Sequence, residues 1–394
     1  MRGIEKSRKA RRVRAAALIV LLGLSGCAGT GRVIEEQPTP RQPQPEAASP
    51  EREPGYQIAT WPGFRRAACS LTFDDGTLDQ YLLGFPELET RGIKATFFLI
   101  AGLRNRGVWL DSGTPRLLFS WQQARQLAAA GHEIGSHGHN HVDLTLAGTE
   151  VEQELSASLA LLSGEIPSLS VPGGVSLSWS YWRHDENSRR LARVYYLAAR
   201  GGGVTASGRI NDSTPLDFYG IGALGLIPAD EAVLWRRRAA EALTAGGWLV
   251  VTFHGLDDGN IPREALGWEP LPLPRFRAVL DYLLEEGDYW LAPFGEVVRY
   301  IRQREGAVLR SAGRRPGGLL LVLEDGLDDR IYDRSLTLAV QLPPGWEEAA
   351  VYQHGRPLTM WRDDDDRLCF QALPDGTLIL VQKRKTLRSE RSVH

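Results

Sequence analysis

The sequence has little cysteine and no large excess of charge of either sign. Two of its three cysteines, Cys69 and Cys369, could pair in an oxidising compartment, but Cys69 lies in an apolar stretch, and we expect both to be free thiols. A net charge of -2 at pH 7 gives no sign of a field that attracts nucleic acid, so we expect no nucleic-acid partner. The composition, with 43% hydrophobic and 24% charged residues, is that of an ordinary globular protein.

The start of the sequence lacks an apolar run long enough to span a bilayer as a helix. Residues 15–24 are apolar and follow a basic stretch, but they are too few for a transmembrane span, so we interpret them as part of an export signal. The run ends in Leu24-Ser25-Gly26-Cys27, which resembles the lipobox of bacterial lipoproteins. We therefore predict a signal peptide over 1–27 and lipidation at Cys27, with an ordinary secretory signal as the alternative.

Lipidation would anchor the mature chain to a membrane of the cell envelope, on the side that faces away from the cytoplasm. Ala28 rather than an aspartate follows Cys27, which in a double-membraned bacterium favours the outer membrane. Residues 28–60 are rich in proline, a composition typical of an extended linker between an anchor and a folded domain.

The length and the pattern of the remaining chain indicate two domains. A chain of 394 residues exceeds the usual size of one hydrophobic core. Over 61–310 strand and helix patterns alternate, which is typical of a parallel α/β architecture whose functional loops follow the strands. Short strands with proline and glycine turns occupy 315–385 and indicate a small antiparallel β domain, in which the acidic run 363–366 would be a solvated hairpin tip.

The local patterns give a specific set of expected elements in both domains. In the first domain we expect strands at 68–73, 95–100, 133–136, 193–198 and 249–253, and helices at 121–130, 150–162, 230–244 and 275–286. In the second we expect strands at 319–323, 336–342, 349–353 and 377–381.

Two adjacent carboxylates follow the first expected strand of the α/β domain. Asp74 and Asp75 end an apolar run and precede Gly76. At such a turn one carboxylate can bind a cation, while its neighbour stays free to accept a proton from water. The alternative is an aspartate-rich turn that caps the next helix.

Half of the chain's eight histidines lie within 131–141. His137 and His141, four residues apart, can face one cation from a single turn, as zinc ligands commonly do. With Asp75 they would form a site of two histidines and one carboxylate that leaves positions open for water and substrate. We expect His132 to be packed or hydrogen-bonded and His139 to point away from the cation.

These two segments carry a family resemblance. Residues 72–76 resemble the first motif of the polysaccharide deacetylases, the carbohydrate esterase family 4 type with NodB homology, and residues 137–141 resemble the second. The resemblance covers about 65–305 and continues into 290–300. It implies a distorted (β/α) barrel with the site at the carboxyl ends of its strands, a general base at Asp74, and one divalent metal bound by Asp75, His137 and His141. Zinc is the default ion, with cobalt or nickel as alternatives.

A later motif supplies a candidate general acid, and other motifs depart from the family pattern. The strand-like run 249–253 ends at His254, which by the resemblance protonates the leaving group. The family's third motif has an arginine two positions before a proline, where this chain has Ser170 before Pro172, so that arginine is missing or supplied elsewhere. The fourth motif has no convincing match, although Asp212 and Asp217 are nearby candidates.

The segment after Pro172 suggests substrate contacts. Backbone N–H groups of Gly173 and Gly174 could form an oxyanion hole, because glycine allows close approach to a substrate. Trp179, Tyr181 and Trp182 could stack on sugar rings, or they could fill the outer packing of the barrel.

We therefore expect a hydrolase that uses metal-activated water, an aspartate base and a histidine acid to remove N-acetyl groups from an extracytoplasmic amino-sugar polysaccharide. An O-acetyl esterase acting on glycans such as xylan is the second hypothesis, and a catalytically inactive glycan-binding lipoprotein the third. The first two share every residue named above. The third is disfavoured because the expected base, acid and metal ligands are all present.

Overall fold

The computed structural model describes residues 55–146, 148–201, 210–215, 217–229 and 232–383, which all belong to one compact unit. The expected signal peptide, the acylation site at Cys27 and most of the expected linker lie outside these residues. Within the described ranges, no helix has both the length and the apolar character needed to cross a bilayer.

The described helices and strands are numbered in chain order. The helices are α1 (Phe85–Thr90), α2 (Trp121–Ala129), α3 (Val151–Glu165), α4 (Glu186–Tyr195), α5 (Ala232–Ala245), α6 (Leu273–Glu286) and α7 (Phe294–Gly306). The strands are β1 (Tyr56–Ile58), β2 (Ala67–Phe73), β3 (Thr96–Leu99), β4 (Val108–Asp111), β5 (Thr114–Leu117), β6 (Glu133–Ser136), β7 (Leu177–Ser178), β8 (Ala199–Arg200), β9 (Leu224–Gly225), β10 (Trp248–Phe253), β11 (Leu256–Asp257), β12 (Leu271–Pro272), β13 (Tyr289–Leu291), β14 (Val308–Arg315), β15 (Gly318–Glu324), β16 (Leu336–Val340), β17 (Ala349–Gln353), β18 (Arg356–Pro357), β19 (Met360–Arg362), β20 (Leu368–Ala372) and β21 (Gly376–Gln382).

A curled parallel sheet forms the main layer. Its strand order is β8-β7-β6-β3-β2-β10-β9, and β13 pairs with the start of β2. Every residue of β2 and β10 is buried, as parallel strands covered on both faces should be. The segment 218–221 forms backbone hydrogen bonds with β8, and β9, which follows it, pairs with β10, so one continuous segment connects the two edges of the sheet. The predicted α/β fold with a distorted barrel is confirmed.

An aromatic cluster supports the carboxyl ends of the central strands. Phe73, the last residue of β2, stacks on Phe97 of β3 with 4.8 Å between the ring centroids. The rings of Phe253, at the end of β10, and Phe276, on α6, lie 5.3 and 5.8 Å from that of Phe73. The residues that follow Phe73 and Phe253 in the chain therefore start from a fixed, close-packed base.

Two antiparallel sheets, in the orders β1-β16-β20-β19 and β14-β15-β21-β17-β18, account for the predicted β region. Apolar side chains from both sheets form a core of their own. β1 lies within the range that the sequence assigned to the linker, but it pairs with β16 and thereby joins this region. The acidic run 363–366 lies in the turn between β19 and β20, and the side chain of Asp366 is 88% exposed.

The sequence-based prediction of a strand at 193–198 is wrong. Helix α4 continues to Tyr195, and the strand that follows is β8 at Ala199–Arg200. The helix begins at a capping box in which Asp185 and Ser188 exchange hydrogen bonds between side chain and backbone. That start signal and the apolar face of α4 outweigh the strand-like composition of its last turn. Cys69 and Cys369 are buried free thiols, as expected.

Truncation of Phe276 tests the role of the aromatic cluster in stability. Phe276→Ala should lower the free energy of unfolding by about 3–5 kcal/mol, because it removes a fully buried ring and leaves a cavity. Leu284→Ala on the same helix, where the side chain is 43% exposed, is the matched control and should change it by less than about 1 kcal/mol. Denaturant unfolding followed by circular dichroism measures both, and equal losses would contradict this packing.

Candidate active site

The two adjacent aspartates lie in the turn after β2. Asp75 (φ 71°) and Gly76 (φ 72°) both have left-handed backbone conformations, which are uncommon for aspartate and tend to occur at functional sites. The buried guanidinium of Arg104 donates hydrogen bonds to the backbone carbonyls of Asp75 (2.7 Å), Gly76 (2.6 Å) and Phe119 (2.9 Å). Arg104 therefore fixes the turn through its backbone and leaves both carboxylates available.

The histidine-rich loop follows β6. Nδ1 of His137 lies 2.9 Å from the carbonyl oxygen of Ser178, so Nδ1 donates that hydrogen bond and Nε2 keeps its lone pair for a ligand. Glu154 of α3 accepts hydrogen bonds from the backbone N–H groups of His139 (3.1 Å) and Asn140 (2.8 Å). These contacts fix the loop that carries both expected histidine ligands.

The structure brings together Asp75, His137 and His141, the three predicted ligands. Oδ1 of Asp75 lies 3.5 Å from Nε2 of His137 and 3.5 Å from Nε2 of His141. One ligand atom from each residue lies within 4.8 Å of the other two. His141 also has a left-handed backbone, with φ 57°. All three side chains are buried, as the ligands of a bound ion usually are.

The electrostatics of this cluster favour a bound cation. Burial, the neighbouring Asp74 and then Asp111 raise the pKa of Asp75 well above its usual value. Burial lowers the pKa of His137 and of His141, which keeps both imidazoles neutral and able to donate a lone pair. Oδ1 of Asp75 has no hydrogen-bond partner within the part of the chain that the structure describes. A divalent ion of the zinc type fits this donor set and would satisfy that buried oxygen.

Asp74 is paired with a buried arginine that the sequence did not identify. Arg200, on β8, donates a hydrogen bond to Oδ1 of Asp74, and both side chains are fully buried. Burial alone would raise the pKa of Asp74, but Arg200, together with His137 and His254, holds that pKa below its usual value. Oδ2 of Asp74 has no hydrogen-bond partner among the described residues, so it remains available as a proton acceptor.

Arg200 supplies the buried arginine that is missing at the position of Ser170. The resemblance implies an arginine at the position of Ser170, which precedes β7, whereas the arginine that pairs with Asp74 lies on β8. The sequence carried a usable signal, because Arg200 directly follows the apolar run 196–199, as Asp74 directly follows β2. The incorrect strand assignment at 193–198 hid this signal.

His254, the predicted acid, follows β10 directly. Its Nε2 lies 3.8 Å from Oδ2 of Asp74. Burial lowers the pKa of His254 to about 4, although Asp74 opposes this shift, so the imidazole is neutral near neutral pH. A small movement would therefore bring the candidate base and the candidate acid into hydrogen-bond contact.

Asp79 and Gln80, which the sequence analysis did not single out, join the two catalytic segments. Nε2 of Gln80 donates to the backbone carbonyls of both Asp74 (2.5 Å) and His254 (2.6 Å). The carboxylate of Asp79 accepts hydrogen bonds from the backbone N–H groups of Leu256 (2.5 Å) and Gly267 (3.1 Å). This pair fixes the positions of the turn after β2, the end of β10 and the loop around residue 267 relative to one another.

The candidate base, acid and ligands open into one cavity of about 540 Å³. Four aromatic side chains from three different segments line its walls: Trp109, Tyr181, Trp182 and Trp268. Tyr181 and Trp182, with φ 57° and 58°, are held in left-handed conformations beside the cavity. Trp182, which the sequence suggested as a sugar-stacking residue, therefore lies at the site, together with Tyr181.

Three residues that the sequence proposed for substrate contact lie elsewhere. Gly173 and Gly174 precede β7, at its amino end, and do not line the cavity. The carbonyl of Gly174 accepts a hydrogen bond from Arg299 (2.5 Å). Trp179 is fully buried and donates to the carbonyl of Tyr219 (3.0 Å), so it is a core residue. The oxyanion-hole prediction for Gly173 and Gly174 is wrong, because the amino end of a parallel strand is remote from the site edge. The stacking prediction for Trp179 is wrong, because its ring is buried in the core.

The remaining candidates have structural roles. His132 accepts a hydrogen bond from the backbone of Ala95 at Nδ1 and bonds Glu89 at Nε2, as expected for a packed histidine. Asp217 pairs with Arg189 (3.2 Å) and does not line the cavity, and neither does Asp212 or His139.

Metal content tests the ligand assignment. His137→Ala and His141→Ala should each purify with far less than one equivalent of divalent metal, because each removes one of three ligands. His139→Ala is the matched control from the same loop and should retain the metal, since its ring lies outside the cavity. Inductively coupled plasma mass spectrometry of the purified variants gives the readout. Retention of full occupancy in both ligand variants would rule out this site.

Comparison with known proteins agrees with the site. The family model for polysaccharide deacetylases matches residues 64–174, which contain Asp74, Asp75 and both histidine ligands. A curated gellan lyase of a Bacillus species is 24% identical over 359 residues, which are 84% of this chain and 13% of that protein. The chain therefore spans a small part of this relative's length.

Solved structures give more distant likenesses. A protein of Mycobacterium smegmatis described as a polysaccharide deacetylase is 17% identical, with a TM-score of 0.44, over 66% of this chain and 97% of that one. The Xyl-CE4 domain of a multidomain xylanase from the hindgut metagenome of Trinervitermes trinervoides is also 17% identical, with a TM-score of 0.36, over 59% and 89% of the two chains. The family match shows that residues 64–174 resemble a polysaccharide deacetylase domain.

Proposed function

We propose that this protein is a metal-dependent hydrolase that removes N-acetyl groups from an amino-sugar polysaccharide outside the cytoplasm. The observation that carries the proposal is a single cavity that holds a buried Asp75–His137–His141 cluster. Beside that cluster lies Asp74, one of whose carboxylate oxygens has no hydrogen-bond partner among the described residues. That combination suits hydrolysis of an acetyl group, because it supplies a cation site and a proton acceptor at the same place.

Each residue has a defined task in this proposal. Asp75, His137 and His141 would hold the cation, which supplies Lewis-acid polarisation of the acetyl carbonyl and lowers the pKa of water. Asp74 accepts a proton from the attacking water through its free Oδ2. Arg200 holds Oδ1 of the same carboxylate and keeps Asp74 ionised and oriented.

The proton then has a short path to the leaving group. His254 is neutral near neutral pH, because burial lowers its pKa to about 4, and so it has to gain a proton before it can donate one. Oδ2 of Asp74 lies 3.8 Å from Nε2 of His254, so a small movement allows the proton taken from water to pass to the imidazole. His254 then donates that proton to the departing sugar nitrogen.

Acetate release identifies the substrate class. The wild-type protein should release acetate from an N-acetylated amino-sugar oligomer, and a chelator should abolish the release. Acetate release that is faster from acetylated xylan than from the amino-sugar oligomer would favour the hypothesis of an O-acetyl esterase. Release from neither polymer at any metal loading would leave the inactive glycan-binding lipoprotein and contradict our proposal.

Replacement of Asp74 separates catalysis from metal binding. Asp74→Asn should reduce acetate release by roughly 10²- to 10⁴-fold, because it removes the general base. The metal content should not change, since the three ligands remain. Asp288→Asn, at an exposed position outside the cavity, is the matched control and should keep wild-type activity. An Asp74→Asn variant of unchanged activity would show that another group takes the proton.

His254 should matter most when the leaving group needs a proton. His254→Ala should lose most of its activity on an acetylated amino-sugar oligomer, since an amine does not leave unprotonated. It should lose much less on an activated aryl acetate, because a phenolate leaves without a proton. The ratio of the two rates in the variant and the wild type is the readout. Equal losses on both substrates would contradict the acid role.

The cellular location is part of the proposal and rests on the sequence. Basic, apolar and small residues precede Cys27 in the order of a lipoprotein signal, so we propose a lipid-anchored protein on the outer side of a membrane. Cells that express the full chain and are fed a labelled fatty acid should label the wild type, and Cys27→Ser should remain unlabelled. Equal labelling of both would show that Cys27 is not the acylation site.

A further inference from the structure

The hairpin of β4 and β5 places an indole at the rim of the active-site cavity. Trp109 on β4 lines the cavity, and its ring centroid lies 4.8 Å from that of His141, with the planes at 64°. Asp111 and Ser112, at the tip of the hairpin, also line the cavity. The proposed hydrolysis uses none of these three residues.

A second indole lies beside the candidate acid. Trp268, in the loop between β11 and β12, is 43% exposed, and its ring centroid lies 5.1 Å from that of His254. His141 comes from the loop after β6, whereas His254 follows β10, and β3 and β2 lie between these strands in the sheet. Trp109 and Trp268 therefore flank the aspartates at the end of β2 from two sides.

One partly buried side chain connects the two indole-bearing segments. Nε of Arg116, on β5, donates to Oδ2 of Asp111 (2.8 Å), and its Nη1 donates to the backbone carbonyls of Leu266 (2.9 Å) and Gly267 (2.7 Å). The Arg116 side chain is 13% exposed. These hydrogen bonds connect the hairpin to the residues that immediately precede Trp268. They thereby restrict the movement of the two indole rings relative to each other.

We propose that Trp109 and Trp268 are stacking platforms for the sugar rings on either side of the acetylated residue, and that Arg116 is the positioning residue that sets their spacing. The flat C–H face of a pyranose ring packs well on an indole, whose ring is large, apolar and rigid. Two platforms that flank the reacting group select an acetylated residue inside an oligosaccharide chain over a free acetylated monosaccharide. The inference rests on the proposed function, because the reacting group between the platforms is the acetyl group.

Kinetics on two substrates of different size test the platforms. Trp109→Ala and Trp268→Ala should each raise KM for the acetylated chito- or xylo-pentasaccharide that the wild type deacetylates faster, by roughly tenfold per platform. The rate constant kcat/KM for 4-nitrophenyl acetate, which carries no sugar, should stay within about twofold. Leu110→Ala is the matched control, because Leu110 adjoins Trp109 on the same strand, faces the other way and is 68% exposed.

Arg116→Gln should raise KM for the pentasaccharide without lowering the metal content, since Arg116 acts through the positions of the two rings. An unchanged KM in Trp109→Ala and Trp268→Ala would overturn the proposal. Equal losses on the pentasaccharide and on 4-nitrophenyl acetate, or a loss of bound metal in Trp109→Ala, would overturn it too, because they would show that the indole merely supports His141.

Binding separates this inference from the proposed function. If the wild type released no acetate from any glycan, the proposed function would fail, but isothermal titration with the same pentasaccharides would still test the platforms. Binding that is lost in the Trp109→Ala/Trp268→Ala double variant and kept in Leu110→Ala supports them. Binding that survives the double variant, or no binding by the wild type, overturns them.

Discussion

The buried ion pair between Arg200 and Asp74 is the interaction on which the rest of the site depends. Both side chains are fully buried, and a carboxylate in such a place would take up a proton if no cation faced it. Arg200 comes from β8, which is four strands away from β2 in the sheet order. In a flat sheet those strands would lie about 19 Å apart, at about 4.8 Å per strand. Asp74 can therefore stay ionised only because the sheet is curled and the segment 218–225 connects its two edges, which brings Arg200 to Asp74.

The architecture separates the groups that hold the loops from the groups that react. Arg104, Gln80, Asp79 and Glu154 grip the catalytic segments by hydrogen bonds to their backbones. The reactive atoms are left without partners among the described residues, namely Oδ2 of Asp74 and Oδ1 of Asp75. Unpaired buried oxygens are costly, and they persist where the surrounding structure enforces them and a ligand satisfies them. The left-handed backbones at Asp75 and His141 fit the same interpretation.

The fold class and the three metal ligands could be predicted from the sequence, because both predictions depend on local patterns. An apolar strand that ends in Asp74-Asp75-Gly76, and two histidines four residues apart, can be read without knowing what packs against them. The position of Arg200 after an apolar run is a local signal, but its pairing with Asp74 could not be predicted, since that contact crosses the barrel. Gly173 and Gly174 were misplaced because glycine composition does not tell which end of a strand a loop occupies. Trp109 and Trp268 look like ordinary aromatic residues until the hairpin and the loop around residue 267 place them beside the cavity.

A double-mutant cycle on Arg200 and Asp74 tests the central claim most directly. The measurement is kcat/KM for acetate release by wild type, Arg200→Met, Asp74→Asn and the double variant, each checked for full metal content. If Arg200 acts only by keeping Asp74 ionised and oriented, its loss should cost nothing further once Asp74 is asparagine, so the double variant should equal Asp74→Asn. Independent, multiplicative losses in the double variant would show that the two side chains do not work as one unit, and would contradict this account.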